Sequence, residues 1–339
     1  MSKTAIAILA ALVFLSLGAQ REDFVAPYPY NGRTFRTFVE DSYIEGHKGD
    51  PQQFYNWFAA EFAASAPAYK GVNEKDLPGF LNAEKARIDR IKDPRARAAE
   101  ELRLGEYLHK VIKKLIPLFS LEHGFEFHAV QRLGQRQCLL QAVLIAGLLQ
   151  QMHVNAGVVM VYRSVRGEYS FNGHVTTLVK LSDGSDVMVD ASEQEPLAKH
   201  QGILARTTRF CCLTPVFAKN SSRIAGYQTT FGRRVKTAEV SPLDANYVRS
   251  QFYYYRGERA PDGILSAKPT KAGLAASAYF LEKSVKLSPA NSLAVYMLGR
   301  TYAAQGKSDM AKARYQQALK LQRSYGWVPF GIYEALRGT

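Results

Sequence analysis

The chain has 339 residues, of which 47% are hydrophobic and 22% are charged. This is the composition of a globular protein with room for two or three domains, and it excludes wholesale disorder. Lys and Arg outnumber Asp and Glu by 44 to 30, a net charge of +14 that favours acidic partners such as a cell-envelope polymer. The basic residues are scattered in short clusters, so a solvated surface is the simpler interpretation. No motif of a nucleic-acid-binding fold is present, and we expect no such partner.

The first 19 residues have the pattern of a secretory signal peptide. Lys3 is followed by an apolar run over residues 5–17, and Gly18 and Ala19 provide small residues for cleavage. The run is shorter than the roughly 20 residues that span a bilayer, so a permanent membrane helix is not expected. We therefore predict residues 1–19 to be a signal peptide and the protein to be exported to a periplasmic or extracellular location.

Residues 20–118 are predicted to form a helical N-terminal region. The segment 20–50 contains prolines, aromatic residues and an Asn-Gly pair, which predicts an irregular lead-in. From residue 51 to about residue 118 the apolar residues recur at helical spacing. Pro94 is expected to separate two of these helices or to open the second one.

Residues 119–265 are predicted to form an α+β core followed by a connector. An apolar helix is expected over 137–152 and a strand over 158–162, since the latter is rich in β-branched residues. Two further strands over 175–181 and 186–189 flank Asp183-Gly184, a hairpin turn signal. The less regular stretch 216–265 is interpreted as a connector, with its tyrosine run 253–255 in a strand. Because it is long for a structureless loop, we expect some of its strands to belong to the preceding domain.

Residues 266–339 are helical in pattern and resemble a tetratricopeptide repeat. The spacing of small and aromatic residues over 292–325 is similar to one full repeat, with half a repeat before it and a closing helix after it. At least three repeats are usually needed for independent stability, so we expect this segment to pack on the core. The repeat would recruit a protein partner or hold the flank of a substrate. The residues that carry the repeat pattern are Leu298, Gly299, Tyr302, Gly306, Ala311, Tyr315 and Ala318.

The three cysteines predict one reactive thiol and no disulfide framework. Cys138 begins the predicted helix 137–152, where the positive end of the helix favours a thiolate. His174 precedes one strand of the hairpin and Asp190 ends the other, so the hairpin brings them to the same end. Cys211 and Cys212 lack a comparable context and are interpreted as small buried hydrophobic residues.

The stretches 134–142 (GQRQCLLQA), 173–180 (GHVTTLVK) and 187–192 (VMVDAS) resemble the core motifs of the transglutaminase-like superfamily. That family places its Cys at a helix start, its His on one strand and its Asp on the next. The resemblance implies a papain-like/transglutaminase-like core of helix plus antiparallel sheet. It also implies a catalytic triad of Cys138, His174 and Asp190 that needs no cofactor and no metal. Thr176 and Thr177 after the His, where an aromatic residue is common, leave the substrate class open.

The predicted function is an exported cysteine enzyme that acts on protein or peptide amide bonds through a thioester, by hydrolysis or by acyl transfer. The backbone N–H of Cys138, or the side chain of Gln131 or Gln135, is a candidate oxyanion donor. The alternative is a non-catalytic scaffold that binds a protein partner in the cell envelope through its helical repeat. The presence of all three triad residue types favours the enzyme.

Overall fold

The computed structural model describes residues 27–69, 74–169, 173–329 and 331–338. The predicted signal peptide, residues 1–19, lies outside the described residues. The α+β class is confirmed, since the chain combines a β-sheet with helical regions on both sides of it in sequence. Within the described part of the chain, no helix combines the length and the apolarity needed to cross a membrane.

The described part of the N-terminal region becomes helical at Arg33, so the predicted irregular lead-in is wrong over residues 33–45. Phe35, Phe38 and Val39 follow one face of the first helix and are completely buried. Asp93 caps the fourth helix by accepting a hydrogen bond from Ala96 N at 2.8 Å, and Pro94 occupies its first turn as expected. The helices are α1 Arg33–Glu45, α2 Gln52–Ser65, α3 Leu77–Arg90 and α4 Pro94–Leu115.

A closed six-stranded antiparallel barrel forms the centre of the molecule. Its strand order is β5-β4-β3-β6-β7-β8, and a pair between Asp186 and Ile224 joins β8 back to β5, while β9 extends β8 outside the ring. The prediction of a papain-like/transglutaminase-like core of helix plus sheet is therefore wrong. The strands are β3 Ala156–Arg163, β4 Val175–Lys180, β5 Asp186–Val189, β6 Gly202–Arg206, β7 Phe210–Phe217, β8 Ile224–Thr229 and β9 Arg234–Val235; β1 Leu118–Phe119 and β2 Gln135–Arg136 form a separate pair.

Side chains alternate along the strands between the interior of the barrel and its outer face, and burial of the interior side chains favours the closed barrel. One face of all six strands contributes to a single buried cluster that fills the interior, and it includes Val159, Leu178 and Tyr227. The other face of β3, with Val158 and Met160, belongs to the main core. β3, β4 and β5 are thus buried on both faces, whereas β8 exposes Ala225 and Gln228. The interior cluster comprises Val159, Val161, Leu178, Met188, Ile203, Ala205, Cys211, Leu213, Ile224 and Tyr227, with Val235 and Val240 at its edge.

Residues 216–265 are mostly regular secondary structure and not a connector, and two of their strands join the preceding sheet as expected. This segment completes the barrel with β8, adds β9 and a short 3₁₀ helix at Thr237–Glu239, and ends in helix α7 Ala245–Glu258. The tyrosine run 253–255 lies on this helix and not on a strand, and all three rings are buried. This helix places the Tyr255 side chain beside Cys138, from which it is 117 residues distant in sequence.

The buried helix α6 Cys138–Gln151 is the element that the sequence pattern predicts best. It follows the short helix α5 Phe127–Leu133, and its residues from Cys138 to Leu149 are all buried. Thr177 on β4 donates a hydrogen bond to the Ala142 carbonyl at 3.0 Å, which ties the helix to the barrel. The first turn of this helix is thereby held next to the β4–β5 hairpin.

The C-terminal helices dock on helix α7, as expected for a segment too short to be stable alone. Ser284 donates to the Ser250 carbonyl at 2.7 Å, and Asn291 donates to Ser250 Oγ at 2.9 Å, both in buried positions. Gly299 allows the next helix to approach, because an added Cβ there would lie 2.8 Å from the Tyr315 ring. Assignment to the tetratricopeptide repeats stays a prediction. The helices are α8 Lys271–Leu287, α9 Ser292–Ala304, α10 Ser308–Tyr325 and α11 Gly331–Arg337.

Candidate active site

The structure brings Cys138, His174 and Asp190 together at one end of the barrel. Cys138 is the first residue of helix α6, and the side chain of Gln137 caps that helix by accepting from Leu139 N at 3.2 Å. His174 directly precedes β4 and Asp190 directly follows β5. Because β4 and β5 pair in antiparallel register, the two residues lie at the same end of the hairpin, as predicted.

Asp190 is held as an anion by three hydrogen bonds. Its Oδ2 accepts from His174 Nε2 and from His200 Nε2, each at 2.8 Å, and its Oδ1 accepts from Ser192 N at 2.8 Å. Burial raises the pKa of this carboxyl, but the charge and hydrogen bonds of His174, together with His200, outweigh burial. The net pKa of Asp190 lies far below its ordinary value, so the side chain is a carboxylate at neutral pH.

Cys138 and His174 shift each other's pKa in the direction of a thiolate and an imidazolium. Burial raises the pKa of the Cys138 thiol, but the hydrogen bond and positive charge of His174, together with the backbone N–H of Val175, lower it by more. The net pKa of the thiol is therefore below its ordinary value. Burial lowers the pKa of His174, whereas Asp190 and Cys138 raise it well above its usual range. Since Nε2 of His174 is bonded to Asp190, Nδ1 is the nitrogen left for the sulfur.

The other two cysteines have the opposite character. Burial raises the thiol pKa of both Cys211 and Cys212. Both are buried and free of disulfide bonds, which confirms the prediction that they are small buried side chains. A neighbouring imidazolium thus distinguishes Cys138 from the two other thiols.

Tyr255 is a member of the site that the sequence analysis missed. Its hydroxyl lies 3.6 Å from Cys138 Sγ and donates to the Gly173 carbonyl at 2.7 Å. Gly173 has a positive φ of 76°, and an added Cβ would lie 2.7 Å from Gln251 Nε2. The positive φ therefore favours glycine before His174, and Tyr255 fixes its carbonyl. The spacing of Val248, Phe252 and Tyr255 on one helical face was the signal available in the sequence.

His200 is the second residue that the sequence analysis missed. It is 1% exposed, it lies ten residues after Asp190, and it donates to the same carboxylate oxygen as His174. Its Nδ1 is buried without a hydrogen-bond partner among the described residues. Since a carboxylate oxygen only accepts hydrogen bonds, Nε2 of His200 is the donor nitrogen in this contact.

The candidate oxyanion donors are placed differently from one another. Gln131 lies on helix α5, and its amide oxygen accepts from the Tyr43 hydroxyl at 3.1 Å. Gln135 lies on β2, and its buried amide oxygen has no partner among the described residues. Gln137 is the amide that hydrogen-bonds Tyr255 beside the thiol. The oxyanion role of Gln131 and Gln135 stays a prediction, as does that of the backbone N–H of Cys138, which needs no partner inside its helix.

His174, Asp190 and His200 are also the kinds of side chain that bind metals, and their ligand atoms all lie within 4.8 Å of one another. Zinc would stand about 2.0–2.2 Å from each imidazole nitrogen and carboxylate oxygen. Here the two Nε2 atoms instead lie at hydrogen-bond distance, 2.8 Å, from one shared oxygen. Protons on the two imidazoles satisfy the cluster, so we interpret it as a hydrogen-bonded unit.

A cavity of about 860 Å³ opens beside His174. One wall belongs to the barrel and its β3–β4 loop, with Val161 and Tyr169, and another belongs to helix α7, with Tyr254. The C-terminal helices contribute the remaining wall, which includes Leu293, Tyr296, Met297, Arg300, Gln322 and Ile332. The segment predicted to hold a partner or a substrate flank thus borders the candidate site directly.

Comparison with known proteins assigns no family to the chain. No protein-family model matches it, and no curated protein matches it in sequence. The chemistry of the site must therefore be argued from its own geometry.

Proposed function

We propose that the protein is a cysteine enzyme that acts on amide bonds through a thioester at Cys138. The observation that carries this proposal is the continuous chain from the Cys138 thiol through His174 to the Asp190 carboxylate. A thiolate with an adjacent imidazolium is a ready nucleophile, and the carboxylate keeps the imidazole in the orientation that catalysis needs.

The reaction has two balanced stages. The Cys138 thiolate attacks the amide carbonyl, and the imidazolium of His174 gives its proton to the leaving nitrogen as the C–N bond breaks, which leaves a thioester and an amine. Neutral His174 then takes a proton from water or from an acceptor amine, which attacks the thioester. The products are a carboxylic acid or a new amide, together with the restored thiolate–imidazolium pair.

The motif order of Cys138, His174 and Asp190 resembles that of the transglutaminase-like superfamily, and membership in that family is part of this proposal. The closed barrel differs from the core that the resemblance implied, so the likeness is limited to the site. The proposal also includes export of the protein, for which residues 1–19 are the motivation. N-terminal sequencing of protein from its native host is expected to begin near residue 20, and intact Met1 would contradict export.

The test is to trap the acyl-enzyme. The protein is incubated with an electrophilic glutamine mimic, and modified peptides are identified by mass spectrometry. We expect modification at Cys138 that is lost in Cys138→Ala and retained in the matched control Cys211→Ala. Unmodified Cys138 in the folded protein would leave the alternative, a non-catalytic scaffold that binds a protein partner.

A further inference from the structure

The cavity beside His174 has a mostly apolar lining, although Glu168, Glu193, Glu258 and Arg300 also border it. Leu265 and Tyr169 belong to this lining and are 53% and 55% exposed, so both are accessible to a ligand. Leu293 and Met297 on helix α9 lie in the same lining. A site that only admitted water or a small amine would not need this apolar surface.

We propose that this cavity binds a bulky apolar side chain of a peptide substrate, next to the amide bond that Cys138 attacks. The inference rests on the proposed function, and it gives the C-terminal helices the role of an outer pocket wall. The occupant is a substrate segment because His174, the proton donor to the leaving group, lies in the wall of the same cavity. A ligand that fills the cavity therefore lies beside His174.

The size and the polarity of the cavity fit such a segment. Its volume of about 860 Å³ lies within the 300–1,000 Å³ range of pockets that bury most of a small ligand. Burial of the exposed parts of Leu265 and Tyr169 by an apolar side chain is favourable at about 25 cal/mol per Å². The pocket thus has the capacity and the driving force to select a side chain such as leucine or phenylalanine.

A polar group in the wall favours a peptide over a plain hydrocarbon chain. Gln322 lies in the cavity lining and is 4% exposed, and its amide oxygen has no hydrogen-bond partner among the described residues. A peptide N–H from the substrate is the donor that this buried acceptor lacks. A fatty acyl chain has no such donor and would leave the amide oxygen unsatisfied.

The test uses three electrophilic peptides that differ only in the side chain next to the reactive carbonyl: phenylalanine, glycine or aspartate. The second-order rate of Cys138 labelling is measured by mass spectrometry in the full chain. Because a hydrophobic pocket discriminates by about 10–200-fold, we expect phenylalanine to react at least about tenfold faster than aspartate. Leu265→Glu should remove most of this preference, and its position is 53% exposed, so a charge there is expected to leave the fold intact.

Met310→Glu is the matched control, because Met310 is 45% exposed on helix α10 and lies outside the cavity lining. It should retain the preference. Equal rates for the three peptides, or a faster reaction with a fatty acyl electrophile, would overturn the inference. Iodoacetamide labelling of Cys138 is measured in parallel. If iodoacetamide labels Cys138 but the three peptides react at equal rates, only the proposed pocket is wrong. If Cys138 is inert to all of these reagents, the proposed function itself is wrong.

Discussion

Replacement of Asp190 by asparagine tests how the site maintains its imidazolium. Asp190 accepts from His174 Nε2 at 2.8 Å and is almost completely buried, so its negative charge acts on His174 with little screening by solvent. A hydrogen bond to a charged group contributes about 1.5–3 kcal/mol. Loss of this interaction should therefore lower the pKa of His174, because the imidazolium is the form that the carboxylate stabilises.

The thiol should respond in the opposite direction. With less imidazolium beside it, the thiolate of Cys138 loses stabilisation, so the thiol pKa should rise in Asp190→Asn. Turnover should fall by at least about 10²-fold, because general acid catalysis commonly contributes 10²–10⁴-fold. Substrate binding should be retained, since Asp190 has no place in the cavity lining.

The assay is a nuclear magnetic resonance titration of protein labelled with ¹⁵N-histidine, which reports the pKa of each imidazole. Asp183→Asn is the matched control, because Asp183 lies at the turn of the same hairpin and pairs with Arg223. We expect His174 to titrate at lower pH in Asp190→Asn and at its original pH in Asp183→Asn. An unchanged His174 pKa in Asp190→Asn would refute the view that the carboxylate supports the imidazolium.

Three further predictions concern the surroundings of the triad. Gly173→Ala should slow Cys138 labelling, because the positive φ alone costs about 1–2 kcal/mol and the new Cβ would crowd Gln251; normal labelling would contradict a tight fit. Tyr255→Phe should keep the fold but lower the free energy of unfolding by about 1 kcal/mol, because it removes the hydrogen bond to the Gly173 carbonyl; unchanged stability would contradict that bond. The lowered pKa of Asp190 contributes stability above about pH 4, and that stability is lost as the pH falls further. Thermal melts should therefore show a steeper acid decline in wild type than in Asp190→Asn, and parallel declines would disprove this contribution.

The local part of the site could be predicted from the sequence, because short-range patterns specify it. The helix that begins at Cys138 is a continuous apolar segment, and Asp183-Gly184 marks the turn that pairs the strands of His174 and Asp190. Sixteen residues separate the histidine from the aspartate, so one hairpin fixes their contact.

The remainder depends on long-range packing that no local pattern indicates. Tyr255 reaches Cys138 from 117 residues away, through a helix whose tyrosines also suit a strand. Closure of the barrel depends on β8, which contains Gly226 and Gln228 and lacks the apolar run of a buried strand. Its pairing with β5 is a single contact between Asp186 and Ile224, which the sequence gives no means to foresee.

The most direct test of the account is the rate of Cys138 alkylation by iodoacetamide as a function of pH, with the labelled residue identified by mass spectrometry. The measurement compares wild type with His174→Ala. We predict that wild-type Cys138 reacts with an apparent pKa below the free value of about 8.5, and that His174→Ala raises this apparent pKa. Identical pH profiles, or a Cys138 that reacts only after denaturation, would contradict the claim that Cys138 is a thiolate nucleophile.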